Sequence, residues 1–200
     1  MNIALIVFAG KGERISSKIP KQFIKIKGQE LVSYTIRTFN DHPLIHEIVL
    51  VTSKEYLDYA RSIALEKRFN KVRFVLEGGL TRQESVRKGL NGLSYKDGDY
   101  ILIHDGDRPL VSDELITKTI KELRKFNGTS VAIKSENALK EVSNSGRKIM
   151  LGDVQYDVQT PQGFIFKIIK DAHNKYKNEE VSDDISLLEL EGLPISYIEG

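Results

Sequence analysis

Short apolar, β-branched runs alternate with amphipathic stretches along this chain. Ile3–Phe8, Glu47–Thr52, Val72–Leu76, Tyr100–His104 and Ser130–Ile133 have the length and composition of strands buried on both faces. Between them, Leu31–Phe39 places Leu31, Ile36 and Phe39 on the inner side of a helix. Thr81 and Glu84 have capping-box spacing at the head of a helix over Thr81–Gly89. Ser53 and Ser112 stand where two further helices need an N-cap, the second running to Phe126. Helices resume at Ile165–Lys177 and Ser182–Glu191. This β-α-β order predicts an α/β fold: a doubly wound, mostly parallel sheet covered by helices on both faces.

One region breaks the alternation. Lys134 to Asp157 is polar and contains the turn signal Ser143-Asn144-Ser145-Gly146. Val142 and Ile149–Leu151 read as the arms of a β-hairpin around it. No internal repeat or linker divides the chain, so its 200 residues read as one domain, 1–200, with a projecting arm at about 134–157.

In an open parallel sheet, ligands bind beyond the carboxyl ends of the strands. Three segments stand there. After the first run comes Ala9-Gly10-Lys11-Gly12-Glu13-Arg14, followed by Pro20-Lys21-Gln22-Phe23. Glycines let a backbone approach phosphate oxygens closely, and Arg14 and Lys21 supply separated cations for charge developing on a phosphoryl group. A Walker loop is excluded, since no Gly-Lys-Ser/Thr closes the run. A dinucleotide fingerprint fits poorly, because Ile15 stands near its third glycine and Glu30 lies in a turn opening a helix. After Leu76 comes Glu77-Gly78-Gly79-Leu80-Thr81-Arg82-Gln83-Glu84-Ser85, where two glycines permit approach to a flat base and Ser85 could read its polar edge. After Ile103 comes His104-Asp105-Gly106-Asp107-Arg108-Pro109, with Asp105 placed to bridge Mg²⁺ to phosphate oxygens or to cap a helix beside Arg108.

Composition narrows the partners. A net charge of +2 without a basic block or aromatic-interleaved stripe argues against nucleic acid. No cysteine is present, and the four histidines lack zinc-ligand spacing. The N-terminal run is too short for a signal peptide or a membrane span, so a cytoplasmic protein is expected.

Taken together, these segments resemble the cytidylyltransferases that make CDP-polyols, those acting on methylerythritol phosphate and on ribitol phosphate. The resemblance rests on Ala9-Gly10-x-Gly12-x-Arg14, Pro20-Lys21-Gln22-Phe23, Gly78-Gly79-x-x-Arg82-x-x-Ser85-Val86, His104-Asp105-x-x-Arg108-Pro109, Gln159-Thr160-Pro161-Gln162 and Ser182-Asp183-Asp184, in family order over nearly the whole chain. It implies a Rossmann-like fold and transfer of CMP from CTP to a polyol phosphate, with Mg²⁺ and release of pyrophosphate. By the same resemblance Arg14 and Lys21 are catalytic cations. Ala9, Gly10, Lys11, Gly12, Gly78, Gly79, Arg82 and Ser85 hold CTP. Asp105, Arg108, Lys140 and Thr160 face the acceptor, Asp105 also serving the metal, and the arm joins a homodimer.

Three departures bear on this reading. The family's Asp-Thr on the arm is Asn137-Ala138 here, and Gly152 stands where an arginine precedes the Thr-Pro-Gln motif, with Arg147 a conceivable substitute. The family's Asn-x-Lys-x-Thr segment follows a Val/Ile-x-Gly like Ile198-Glu199-Gly200, where this sequence stops. Either the sequence is truncated there or the apparatus lacks that lysine. The first two departures leave the acceptor open, including a different alditol phosphate for a surface polysaccharide. An impaired CTP-binding homologue and a sugar-nucleotide or dinucleotide enzyme of the same fold are the other readings.

Overall fold

A computed structural model describes residues 1–10, 19–94, 96, 98–135 and 156–200, together with the backbone of 140–142 and 148–150. The sequence-predicted strands form β1 (Asn2–Val7), β4 (Glu47–Thr52), β5 (Val72–Glu77), β6 (Tyr100–Asp105) and β7 (Gly128–Lys134). A small hairpin, β2 (Lys25–Ile26) and β3 (Gln29–Glu30), leads into helix α1 (Leu31–Asp41). Lys27 and Gly28 both take positive φ, 50° and 80°, as a tight hairpin turn with right-handed strand twist requires. Helices α2 (Leu57–Glu66), α3 (Arg82–Asn91) and α4 (Asp113–Glu122) follow β4, β5 and β6 in turn. The chain then passes through β8 (Lys140–Val142), β9 (Lys148–Met150), β10 (Tyr156–Ile165), α5 (Phe166–Lys175), α6 (Ile185–Leu190) and β11 (Ile195–Glu199).

The main sheet has the order β11-β7-β10-β6-β1-β4-β5. The pairs β1–β4, β1–β6, β4–β5 and β7–β11 are parallel, whereas β10 runs antiparallel to both β6 and β7. Alternate residues of each strand point to opposite faces and so enter two cores. Ile3, Leu5, Ile101 and Ile103 pack with Val86 and Leu90 of α3, Ile169 of α5 and Leu188 of α6. Ala4, Ile6 and Leu102 pack with Ile36 and Phe39 of α1, Ile63 of α2 and Ile116 of α4.

Local expectations are mostly realised at the helix heads. Thr81 Oγ1 accepts from Glu84 N at 3.0 Å and Ser112 Oγ from Leu115 N at 3.2 Å. The return bond of the first box goes one residue back, with Leu80 N donating to Glu84 Oε2 at 2.8 Å. Ser53 behaves differently: its carbonyl accepts from Tyr56 N to close a 3₁₀ turn at Lys54–Tyr56, its side chain makes no cap bond, and α2 begins only at Leu57.

Two strands of the main sheet, besides the small β2–β3 hairpin, are not evident from the sequence. β11 covers the edge beside β7, and β10 carries Gln159-Thr160-Pro161-Gln162 into the sheet. A proline inside a polar run argues against a central strand. Here a register shift between Gln159 and Gln162 accommodates it. β8 and β9 pair antiparallel, Lys140 with Met150 and Val142 with Lys148, consistent with a hairpin. The turn residues 143–147, and Ala138 and Gly152, lie outside the described residues.

Candidate active site

The carboxyl ends of β1, β5 and β6 open into a cavity of about 360 Å³ lined by Phe8, Ala9, Gly10, Lys21, Gly79, Arg82, Ser85 and Asp105. The two glycine-bearing loops meet across it. A Cβ on Gly78 would lie 2.6 Å from Ala9 Cβ and 2.8 Å from Ser85 Oγ, so only glycine allows this approach. Lys88 Nζ donates to the Gly78 carbonyl at 2.9 Å. Ser85, buried, accepts from Gly79 N at 2.9 Å and donates to the Thr81 carbonyl at 2.8 Å. Its hydroxyl therefore shapes the loop on which a base would rest.

The first loop is fixed by a residue to which no role was given from sequence. Gln22 is buried, and its Nε2 donates to the carbonyls of Phe8 and Gly10, both at 2.8 Å. The 3₁₀ turn Lys21–Phe23 that carries it is anchored by Phe23, which stacks on Tyr56 with ring centroids 4.6 Å apart. Lys21 is thereby held at the cavity mouth, with its ammonium 3.0 Å from Asp107 Oδ2. Lys11, Gly12 and Arg14 lie outside the described residues.

Asp105 sits at the junction of two sites. Its Oδ1 accepts from Arg82 Nε at 2.8 Å and its Oδ2 from Arg108 Nε at 3.0 Å. Arg108 Nη1 continues to Gln159 Oε1 on β10 at 2.8 Å, and Thr160 Oγ1 is 3.4 Å from Asp105 N. Arg108, Gln159 and Thr160 line an adjoining, more apolar cavity of about 370 Å³ with Leu110, Val111 and Ile133. Three of the acceptor-side residues expected from sequence are thus together, and the side chain of Lys140 is outside the described residues. A divalent ion resident on Asp105 does not fit this arrangement, because both carboxylate oxygens already face guanidinium groups. Among the described residues no group of three or more His, Asp or Glu side chains is placed to hold an ion.

Arg82 also reaches inward. Its Nη1 donates to Asp184 Oδ2 at 2.8 Å, and Asp184 Oδ1 accepts from His173 Nε2 at 2.9 Å. Asp184 and His173 are both buried. Burial alone would raise the Asp184 pKa, but the Arg82 charge and the His173 bond outweigh it and hold the carboxyl at about 2. Burial works against the Arg82 charge, and Asp184 and Asp105 together more than offset it, raising its pKa. The neighbouring Asp183 does the capping, accepting from Ser186 N at 3.0 Å.

His104 lies beneath the junction. Its Nε2 donates to the Arg108 carbonyl at 3.0 Å, and its buried Nδ1 has no hydrogen-bond partner. Burial accordingly lowers its pKa to about 4.

Among the described residues, no helix is long and apolar enough to cross a membrane.

This architecture has close relatives. The family model described as 2-C-methyl-D-erythritol 4-phosphate cytidylyltransferase matches residues 2–200. The enzyme of that name from Clostridium novyi is 38% identical over 100% of this chain and 87% of its own length. The one from Thermotoga neapolitana is 32% identical over 100% of this chain and 88% of its own. The crystal structure of 4-diphosphocytidyl-2C-methyl-D-erythritol synthase from Anaerococcus prevotii superposes with a TM-score of 0.86 at 31% identity, covering 100% of this chain and 86% of that one. With the motifs in order, the fold matched and the two loops closed on one cavity, the chain belongs to the 2-C-methyl-D-erythritol 4-phosphate cytidylyltransferase family of CTP-dependent nucleotidyltransferases.

Proposed function

We propose that this chain transfers the cytidylyl group of CTP to the phosphate of 2-C-methyl-D-erythritol 4-phosphate. One observation carries the reading. The glycine loop after β1, the Gly78-Gly79 loop after β5 and the Lys21 ammonium border a single cavity, with Arg108 and Thr160 on the acceptor side next to it. Triphosphate and acceptor then approach from two sides of Asp105.

In this reaction an acceptor phosphate oxygen attacks the α-phosphorus, a new P–O bond forms, and the bond to the β-phosphate oxygen breaks to release pyrophosphate. The attacking group is already ionised, so no strong general base is needed. The protein's contribution is positioning and charge stabilisation. Loop amides at Ala9 and Gly10 face the phosphates, with Lys21 and Arg14 as the cations. Mg²⁺ enters as part of the substrate, complexed by the triphosphate, rather than as an ion held by Asp105. Ribitol 5-phosphate, the other acceptor expected from sequence, has no specific support from the relatives named above.

A homodimer joined through residues 134–157 belongs to the same proposal, because a lone two-stranded hairpin is marginal in water. Light scattering at micromolar concentration checks it, and a monomer would remove it. The deciding assay is pyrophosphate release from CTP and Mg²⁺ with 2-C-methyl-D-erythritol 4-phosphate, ribitol 5-phosphate and glycerol 3-phosphate in parallel. Turnover with the first alone is expected. Turnover with either other acceptor, or with none, would overturn the assignment.

A further inference from the structure

A line of side chains runs from the interior to the acceptor side. It begins at His173 on α5, passes through Asp184 at the head of α6 and Arg82 at the head of α3, and reaches Asp105 at the end of β6 and Arg108 beyond it. Four elements distant in sequence contribute to it, and each link is 2.8–3.0 Å long.

Its inner end is fixed more tightly than its outer end. Asp184 and His173 are 1% and 0% exposed. Gln162, also buried, accepts from Asp184 N and Ile185 N at 3.0 and 3.1 Å through one Oε1 and donates to Ser130 Oγ at 3.1 Å. The backbone of Asp184 is thereby tied to the centre of β10. Arg82, by contrast, is one-third exposed and borders the nucleotide cavity. A long side chain in that position has many rotamers. Its planar fork is confined only because one nitrogen meets Asp184 and another meets Asp105.

We propose that Asp184 and His173 are positioning residues for the transfer reaction: by holding Arg82 they fix the Asp105 carboxylate, and through it the direction in which Arg108 faces the acceptor. The inference rests on the cytidylyltransferase reading above. It gives Asp184 a different role from Asp183, which is half-buried and caps α6. It also explains the buried glutamine of the Gln-Thr-Pro-Gln segment, which contacts neither cavity yet sets the position of Asp184.

The test compares wild type with His173→Gln and His173→Leu. Glutamine keeps an N–H donor where His173 Nε2 reaches Asp184, whereas leucine keeps bulk and removes the donor. His173→Gln should stay within about twofold of wild type. His173→Leu should lose about tenfold in kcat/KM for the polyol phosphate, the order seen when an outer partner of a functional group is removed. KM for CTP should stay within about twofold, since the glycine loops are not part of the line. If His173→Leu lowers only thermal stability, and acceptor kcat/KM per folded molecule is unchanged, the inference is wrong. It is equally wrong if His173→Gln is as impaired as His173→Leu. Should His173→Leu not accumulate folded, Arg82→Lys asks the same question, because an ammonium cannot hold two carboxylates in a fixed fork. A loss in acceptor kcat/KM supports the proposal and an unchanged value overturns it, whereas the CTP KM of this variant decides nothing because Arg82 itself borders the nucleotide cavity. Wild-type turnover separates the two levels. Without it the functional reading falls and takes the inference with it, whereas an active wild type with unaffected variants removes the inference alone.

Discussion

The Lys21 ammonium lies 3.0 Å from the Asp107 carboxylate across the mouth of the nucleotide cavity, and both side chains are partly exposed. A pair of this kind contributes only about 0–1 kcal/mol, so an incoming triphosphate displaces Asp107 at little cost. Lys21→Ala should lower kcat by about 10²–10³-fold while the protein stays folded, the loss expected when a preorganised charge at the transferring group is removed. Asp107→Asn should act oppositely on binding and lower KM for CTP by about two- to fivefold. Steady-state kinetics with CTP varied, alongside circular dichroism, would show it. An unchanged kcat in Lys21→Ala would remove this lysine from the chemistry.

Gln22 should matter through the loop rather than through the substrate. Replacing it with leucine keeps its volume but leaves the Phe8 and Gly10 carbonyls without their 2.8 Å donor. An unsatisfied buried acceptor costs about 1–3 kcal/mol. Expected are a lower melting temperature and a KM for CTP raised about tenfold, with acceptor KM little affected. Equal rises in both KM values would contradict a role confined to the glycine loop.

The adjacent glycines Gly78 and Gly79 should differ in their tolerance of alanine. At Gly78 a Cβ would press on Ala9 Cβ and Ser85 Oγ, neither of which can withdraw from the packed loops. Overpacking of this kind costs about 1–3 kcal/mol. At Gly79 the Cβ would meet the Glu84 side chain, which can swing away at the loss of one exposed bond to Leu80 N. Gly78→Ala should therefore lose stability and CTP affinity, and Gly79→Ala should lose much less stability. Urea denaturation midpoints of the two variants, with similar slopes, would rank them.

His104 should make the fold acid-sensitive well above the carboxylate range. In the unfolded chain it takes up a proton near pH 6.5, and in the fold only near pH 4. Between those values the unfolded state binds more protons, so the His104 contribution is intact above pH 6.5 and falls as pH drops. The slope is about 1.4 kcal/mol per pH unit, and the full window amounts to about 3 kcal/mol. Two carboxyls act lower down. Glu30 is held at about 2 and Asp184 at about 2, so their contributions are present above pH 4.5 and 3.8 and are lost as pH falls through those values toward 2. His104→Gln keeps a donor for the Arg108 carbonyl and cannot titrate. Its stability should be nearly flat between pH 6.5 and 4.5, where that of wild type declines. Parallel curves would assign the acid sensitivity elsewhere.

What the sequence made legible follows from which physical signals are local. Ile3–Phe8 and the glycine loop after it could be placed because a strand buried on both faces and a phosphate-approaching turn each leave a contiguous trace. The cap residues Thr81 and Ser112 were legible for the same reason, since their bonds span three residues. β10 was not legible: its proline and polar residues argue locally against a strand, and only pairing with β6 and β7 overrides them. Asp183 and Asp184 are identical in type and adjacent, yet one caps its own helix through Ser186 N and the other turns inward to Arg82, 102 residues away in sequence. Gln22 carried no signal of its own, because its partners are two carbonyls, which every residue has.

The reversal of β10 has a wider meaning for how such a fold diversifies. Lys134 at the end of β7 pairs with Tyr156 at the start of β10, so the intervening segment departs from and rejoins the sheet at the same rim as the nucleotide cavity. The pairing of Lys134 with Tyr156 fixes the two ends of that segment at the rim where Arg108 and Thr160 border the adjoining cavity. Exchanging residues 135–155 for those of a relative with another acceptor is the graft that this topology permits.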